Sequence, residues 1–247
     1  MIEIKSEREI ALIKEAGRIV RIVLQEIKKT ARPGVTTAEL DKRAVTIIND
    51  FNARPAFKGY RGFPGNICTS INEQVVHGIP GKTELKVGDI LSVDVGVEKD
   101  GYFADAAITV AIGNGASEGA RDLIRATEKA LYLGIEKAVE GNRLFDISFA
   151  IQRYIESCDF SVVRAFVGHG IGKKMHEDPE IPNFGKPDTG PRLKKGMVLA
   201  IEPMINEGTY EIEILNDGWT AVTKDRLLSA HFEHTVCVTD KEPRILT

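Results

Sequence analysis

The sequence predicts an α+β fold made of two similar halves, and three observations support this prediction. The order helix, helix, strands occurs twice along the chain. Gly34 and Gly141 break the two predicted helix pairs at equivalent places, 107 residues apart. Each half then closes with short alternating or apolar runs, which are typical of strands. We therefore expect a single domain over residues 1–247, with similar halves of about 1–113 and 114–247.

The composition fits a soluble globular protein and excludes several other classes. Of the 247 residues, 43% are hydrophobic and 28% are charged, so the chain is too apolar and its charge too balanced for a disordered protein. A net charge of −3 does not indicate the strongly basic surface that nucleic-acid binding usually needs. No stretch approaches the roughly 20 apolar residues of a membrane span, and the N-terminus lacks the apolar core of a secretory signal.

The cysteines indicate a reducing compartment. Cys68, Cys158 and Cys237 are odd in number and widely spaced, so they make neither a disulfide framework nor a Cys-x-x-Cys metal site. We interpret them as free thiols and expect a cytoplasmic protein.

Each half is predicted to begin with two helices. Ser6 with Glu9, and Thr36 with Glu39, form the Ser/Thr-x-x-Glu pattern that opens a helix. Apolar residues recur at helical spacing after both patterns and again in the second half. The four helices are predicted at about 7–30, 37–52, 117–139 and 144–157. Strand-like runs are predicted at 67–70, 74–77, 91–97, 102–112, 161–167, 197–205, 209–213, 219–223 and 231–239.

Two of these runs form a hairpin whose register follows from its turn. Asp100-Gly101 is a favoured two-residue hairpin turn, so the numbers of paired residues sum to 201. Asp94 then lies opposite Ala107, and Gly96 lies opposite Asp105. Asp94 and Asp105 therefore share one face as diagonal neighbours, roughly 7–8 Å apart at the backbone. We expect Gly96 to leave the point between the two carboxylates open.

Four acids lie in strand-like runs where acids are unusual: Asp94, Asp105, Glu202 and Glu233. Asp94 and Glu202 are also 108 residues apart, at near-equivalent places in the two halves. A single strand acid is as easily explained by an exposed edge strand as by a site. Four such acids in runs rich in Ala, Val and Ile favour a site, because like charges held together need a cation or a shared proton.

A histidine completes this candidate metal site. His169 lies in Gly168-His169-Gly170-Ile171-Gly172, directly after a strand-like run. The loop fits neither a dinucleotide fingerprint nor a phosphate loop, and Glu180 stands where a helical zinc motif beginning at His176 would need histidine. Four carboxylates and one imidazole suit a pair of divalent metal ions, with Mn, Fe, Co and Zn all compatible.

At these residues the sequence resembles the type I methionine aminopeptidases of peptidase family M24, over essentially the whole chain. The resemblance lies in the Asp94…Asp105 hairpin, the glycine-rich segment around His169 followed by His176-Glu177, Ile201-Glu202-Pro203, and Phe232-Glu233-His234-Thr235. It implies the pita-bread fold, in which pseudo-twofold halves surround a curved antiparallel sheet.

The resemblance also implies a role for each site residue. Asp94, Asp105, His169, Glu202 and Glu233 would be the metal ligands. Asp105 and Glu233 would bridge the two ions, Asp94 would complete one ligand set, and His169 with Glu202 would complete the other. His77 would contact the scissile peptide group, although a structural role for it is the alternative. His176 would stabilise the oxyanion, and Glu202 would shuttle a proton.

The implied methionine pocket is lined by Tyr60, Phe63, Cys68, Met175 and Trp219, together with His77 and His176. Phe57, Phe63 and Met175 stand where related bacterial sequences often have Cys, Tyr and Phe, so the exact pocket shape is open. We interpret His231 and His234 as structural, although alternation gives His231 the same face as Glu233.

The implied activity is removal of the N-terminal methionine from nascent proteins whose second residue is small, by a hydroxide activated by two divalent ions. The implied partners are nascent N-termini, with transient ribosome contact, and we expect a monomer that binds neither nucleic acid nor membrane. Prolidases share the ligands but usually carry an extra N-terminal domain. Type II methionine aminopeptidases need a helical insertion, for which the 31 residues from Glu202 to Glu233 leave no space. A non-catalytic module would have lost ligands.

Overall fold

The computed structural model describes residues 2–247, and it is built from two helix pairs and an antiparallel sheet. The four helices are α1 (Glu7–Thr30), α2 (Thr37–Asp50), α3 (Glu118–Ile135) and α4 (Leu144–Glu156). The strands are β1 (Arg54–Pro55), β2 (Cys68–Ile71), β3 (Gln74–Val76), β4 (Ile90–Lys99), β5 (Tyr102–Ala111), β6 (Ser161–Val162), β7 (Val167–Gly170), β8 (Glu177–Pro182), β9 (Val198–Ile201), β10 (Met204–Asn206), β11 (Ile212–Ile214), β12 (Ala221–Thr223), β13 (Ser229–His231), β14 (Glu233–Cys237) and β15 (Arg244–Ile245). The predicted α+β class is confirmed.

The first helix pair begins with the predicted capping boxes. The Ser6 hydroxyl accepts a hydrogen bond from the Glu9 N–H, and the Glu9 carboxylate accepts one from the Ser6 N–H at 2.9 Å. Thr36 and Glu39 make the same reciprocal pair. α3 ends four residues before its predicted limit, because Lys137 and Ala138 donate their N–H groups to the Gly134 and Ile135 carbonyls, three residues back, and so form a turn instead of continuing the helix.

Strands from both halves join in one nine-stranded sheet. Its order is β1-β4-β5-β14-β9-β7-β8, with β2 also paired to β4 and β15 to β14. The β4–β5 hairpin has the predicted register, with Asp94 opposite Ala107 and Gly96 opposite Asp105. β14 pairs with β5 and so connects the halves, and two small sheets, β13-β10-β6 and β11-β12-β3, flank it.

Three predicted strand runs are each divided in the structure. The run 197–205 is cut at Glu202-Pro203, since proline has no N–H to extend a ladder, and β9 and β10 lie in different sheets. The run 231–239 is divided at Phe232 into β13 and β14, which also lie in different sheets. The run 161–167 bends at Arg164. β8 was not predicted, because its prolines and acids do not look like a strand.

The helices cover one face of the sheet. Odd-numbered residues of β4, from Leu91 to Val97, are buried in the same apolar cluster as α1 and α2. Leu199 and Val236 belong to a second cluster with α3 and α4. The even-numbered residues Ser92, Asp94 and Gly96 of β4 therefore point to the face of the sheet that α1 and α2 do not cover. Among residues 2–247, no helix combines the length and apolar character needed to cross a membrane.

α1 packs closely on the C-terminal segment at Gly17, and this contact can be tested by its effect on stability. Glycine to alanine inside a helix normally stabilises by roughly 0.5–1 kcal/mol. At Gly17, however, a Cβ would lie 2.3 Å from the Leu246 carbonyl oxygen, whereas at Gly119 in α3 the nearest atom would be 3.6 Å away. We expect Gly17→Ala to lower the free energy of unfolding by about 1–3 kcal/mol through overpacking. Gly119→Ala is the matched control and should match or exceed wild type. Equal denaturation midpoints for both variants would contradict the packing described here.

Candidate active site

The sheet register brings the four acids onto one face. Asp94 on β4 lies opposite Ala107 on β5, and Ala107 lies opposite Glu233 on β14. Asp105 is two residues from Ala107, so it has the same orientation. On the other side of β14, His234 pairs with Ile201, and continuing this register places Glu202 opposite Glu233. The four carboxylates therefore converge on the face away from the helices.

His169 reaches the same point from β7. His169 pairs with Ala200, which lies two residues before Glu202 and so faces the same way. Its Nε2 lies 3.4 Å from Asp105 Oδ2 and 3.6 Å from Glu202 Oε1. Ligand atoms of His169, Asp105 and Glu233 all lie within 4.8 Å of one another, and the three residues are buried.

The glycines beside His169 allow close packing between neighbouring strands. A Cβ on Gly168 would lie 2.4 Å from the Ala200 carbonyl oxygen, and one on Gly170 would lie 2.0 Å from that of Asp178. His169 Nδ1 lies 2.9 Å from the Gly170 carbonyl oxygen, which accepts a hydrogen bond from Nδ1–H. This bond leaves Nε2 with its lone pair directed to the acids, as a metal ligand requires.

The electrostatics of the cluster call for a cation. Burial raises the pKa of Asp94, and the charge of Asp105 raises it further. Burial and the neighbouring aspartates raise the pKa of Glu202 and Glu233 well above the usual range. Burial raises the pKa of Asp105 to about 6, and burial lowers that of His169 to about 4. The buried Oδ1 of Asp94 has no hydrogen-bond partner. Oxygen donors with one neutral imidazole fit divalent Mn, Fe, Co or Zn.

A pocket of about 140 Å³ opens beside this cluster. It brings together every residue that the sequence predicted for the site: Tyr60, Phe63, Cys68, His77, Asp94, Asp105, His169, Met175, His176, Glu202, Trp219 and Glu233. Phe57 and Arg61 also line it. A larger cleft of about 660 Å³ lies between α3 and α4 and contains none of these residues.

The pocket wall is aromatic and ordered. The rings of Phe63 and Trp219 meet edge to face, with centroids 5.2 Å apart. Asp217 fixes the turn before Trp219, because its Oδ1 accepts the Trp219 N–H at 2.8 Å. Gly96 does not leave an open space, contrary to our expectation. A Cβ on Gly96 would lie 2.5 Å from the Phe57 ring, so that ring occupies the space.

His77 is held at the pocket by a constrained backbone. It adopts a left-handed conformation with φ of 60°, which costs a residue other than glycine about 1–3 kcal/mol and is often found at functional positions. Gly78 pins it to β2, since the Thr69 N–H donates to the Gly78 carbonyl at 2.9 Å. The His77 ring packs edge to face on Phe166, with centroids 5.3 Å apart. Burial lowers the pKa of His77.

His176 stands at the pocket mouth between two other rings. Its centroid lies 4.2 Å from that of His169, and its ring stacks on Tyr60. Its Nδ1 lies 2.8 Å from the Tyr60 hydroxyl oxygen. Desolvation and the nearby His169 lower the pKa of His176 to about 4, so the imidazole is neutral at pH 7. When Tyr60 donates to Nδ1, the hydrogen resides on Nε2 and is available to a substrate.

Sequence reasoning missed one pocket residue, Arg61, and gave too little weight to His231, which lies beside Glu202. Arg61 lies in an irregular segment, where an arginine gives no signal of a site. His231 is 2% exposed, with its Nε2 3.7 Å from Glu202 Oε2 and without a hydrogen-bond partner. Its position agrees with the alternation that gave it the same face as Glu233. His234 points elsewhere and hydrogen-bonds the Thr247 hydroxyl at 2.8 Å, as a structural histidine should.

Comparisons with known proteins identify the family of this chain. The sequence profile of metallopeptidase family M24 matches residues 11–240. A methionine aminopeptidase of Clostridium perfringens is 55% identical over 247 residues, covering 100% of this chain and 99% of that protein. The crystal structure of a methionine aminopeptidase from Thermotoga maritima matches with a TM-score of 0.98 at 46% identity, covering 100% of this chain and 99% of that one.

A more distantly related protein has a similar fold. A prolidase structure from Pyrococcus horikoshii matches with a TM-score of 0.76 at 19% identity, covering 99% of this chain and 63% of the prolidase. At this identity the likeness shows a shared fold alone. The predicted pita-bread fold is confirmed by these structures. The matches over the full length show that the chain belongs to metallopeptidase family M24 and, within it, to the type I methionine aminopeptidases.

Proposed function

We propose that this metallo-aminopeptidase removes the N-terminal methionine from polypeptides whose second residue is small. The observation that carries the proposal is the convergence of four carboxylates and His169 beside an aromatic pocket. The wall of Tyr60, Phe63 and Trp219 suits a thioether side chain, because sulfur packs favourably against aromatic rings. A volume of about 140 Å³ suits one side chain.

We further propose that two divalent ions bind at this cluster. Asp105 and Glu233 would contact both ions, Asp94 would complete one ligand set, and His169 with Glu202 would complete the other. When bound, such ions supply Lewis-acid polarisation of a carbonyl and lower the pKa of water to near neutrality. The mutual repulsion of the acids and the free Nε2 of His169 support this assignment. Mn, Fe, Co and Zn remain the candidates.

Three residues of the chain would act on the substrate itself. Neutral His176 would donate a hydrogen bond to the oxygen that becomes negative as the peptide carbonyl is attacked. His77 would contact the scissile peptide group from its fixed backbone position. Glu202, whose Oε1 lies 3.6 Å from His169 Nε2 in the cluster, would accept and return a proton.

The cellular setting is also a proposal. We propose that the chain acts in the cytoplasm as a monomer, on nascent N-termini, with only transient contact to the ribosome. The three free thiols and the net charge of −3 support a reducing compartment and weak attraction to RNA. We also propose one domain over residues 1–247 with halves of about 1–113 and 114–247, which the shared sheet supports.

Peptide cleavage tests the activity. After chelation and addition of Mn, Fe(II), Co or Zn, we expect release of methionine mainly from Met-Ala-Ser. Met-Leu-Ser should be cleaved far more slowly, because its second residue is large. Preference for Ala-Pro-Ser would replace the proposal with a proline-specific peptidase, and the absence of cleavage by folded, metal-loaded protein would reject both.

The proposed role of His176 predicts a change in kcat without a change in KM or in metal content. We expect His176→Ala to lower kcat by about 100- to 1,000-fold, the usual loss on removing one oxyanion donor, with little change in KM. Tyr60→Phe should cost much less, since it removes only the group that orients His176. Metal content measured by mass spectrometry should be unchanged in both variants. A parallel loss of bound metal in His176→Ala would make His176 a ligand instead.

The crowded carboxylates predict that adding metal reverses the order of thermal stability of wild type and Asp94→Asn. Asp94→Asn removes one charge from the cluster, so the metal-free variant should melt at a higher temperature than metal-free wild type. Added Mn at about 100 times its Kd should stabilise wild type by about 2.7 kcal/mol, or roughly 5–10 °C, and the variant much less. The order of the two proteins should therefore reverse. The same order with and without metal would contradict the proposed ligand set.

A further inference from the structure

A buried lysine joins the N-terminal segment to the segment that carries His176. Lys5 directly precedes the capping box of α1, and its side chain is only 2% exposed. Its ammonium lies 2.6 Å from Glu177 Oε2 and 2.7 Å from Glu3 Oε2. Lysine is almost never this buried unless it is paired, because an unpaired charge is costly to desolvate. Glu3 is largely exposed, so Glu177 is the partner that shares the buried environment.

Glu177 belongs to the segment that presents His176. Residues 171–176 form neither helix nor strand, and Glu177 begins β8 directly after His176. The Glu177 Oε1 accepts the Lys174 N–H at 3.0 Å, so the carboxylate that pairs with Lys5 also closes the turn before His176. This carboxylate therefore contacts both Lys5 and the backbone two residues before His176.

The lysine stem is fitted to its surroundings on both sides. A Cβ on Gly172 would lie 2.4 Å from Lys5 Cε, so only glycine permits this approach. The Lys5 N–H donates to the Gly196 carbonyl at 2.8 Å, which fixes the backbone of the lysine. The Phe103 N–H donates to the Gly172 carbonyl at 2.8 Å and holds the start of the same loop. The loop is thus tethered at its start by Phe103 and at its end by the Lys5–Glu177 pair.

We infer that Lys5 is a positioning residue for His176, acting through Glu177; this inference rests on the proposed function. The N-terminal segment is therefore part of the machinery that presents the oxyanion donor. Lys5 touches neither substrate nor the carboxylate cluster. Because a buried ion pair is weak evidence for stability, its value here lies in fixing one geometry of a loop without secondary structure.

The test is a double-mutant cycle on kcat for Met-Ala-Ser. We expect Lys5→Met to lower kcat by about 100-fold, the scale of a displacement of about 1 Å at a catalytic group. Metal content and KM should change little. In the His176→Ala background, Lys5→Met should have no further effect on kcat, because the group it positions is gone. Lys5→Arg, which keeps the charge, should restore most of the activity.

Two controls separate positioning from general destabilisation. Lys173→Met removes a charge from the same loop, but this lysine is exposed and pairs with Glu9 at 3.1 Å, so kcat should stay within about twofold of wild type. Lys5→Met/Glu177→Gln leaves no unpaired buried charge. It should fold if the single variant does not, and still lose kcat.

Hydrogen exchange gives a readout that does not depend on activity. Amides of residues 172–177 should exchange faster in Lys5→Met, while those of β4 and β5 keep their protection. Unchanged exchange in the loop, unchanged kcat, or an equal loss of kcat in the wild-type and His176→Ala backgrounds would each overturn the inference. If wild type released no methionine with any metal, the proposed function would fail, and the exchange experiment would still decide whether Lys5 orders the loop.

Discussion

Four carboxylates held together out of water are the constraint around which this molecule is organised. Asp105 and Glu233 are buried and Asp94 and Glu202 are partly so. Burial raises the pKa of Asp94, Glu202 and Glu233, and the charge of Asp105 raises all three further. Such a cluster lowers the stability of the metal-free chain and would be lost from a protein selected for stability alone. A bound divalent metal would relieve the repulsion, so the same repulsion that destabilises the metal-free protein would favour metal binding.

The residues of the cluster come from both halves of the chain. Asp94 and Asp105 come from the hairpin of the first half, whereas His169 on β7, Glu233 on β14 and Glu202 directly after β9 come from the second. They meet because β14 pairs with β5, with Glu233 opposite Ala107. Neither half contains all five of these residues. The helices pack on the other face, which leaves the acid face free to form the pocket.

Local signals made part of this arrangement predictable. The β4–β5 register followed from the Asp100-Gly101 turn and from alternation, and the structure has that register. The capping boxes at Ser6 and Thr36 likewise located two helix starts. These features depend on residues close together in sequence, where turn chemistry and side-chain periodicity act directly.

Features set by distant contacts were not predictable in the same way. Nothing local indicates that β14 pairs with β5, that Phe57 covers Gly96, or that β8 pairs with β7 despite its prolines. Lys5 looks like an ordinary surface lysine in sequence, and only the close approach of Gly172 and the partner Glu177 make it buried. His231 had only a weak signal, because its proximity to Glu202 crosses a break between two sheets.

Anomalous X-ray diffraction from crystals grown with Mn would locate bound metal among the carboxylates. We expect two anomalous peaks in the pocket, one among Asp94, Asp105 and Glu233 and the other among Asp105, His169, Glu202 and Glu233. A folded, Mn-saturated protein with no peak among these residues would contradict this expectation. Peaks elsewhere on the chain alone would have the same meaning.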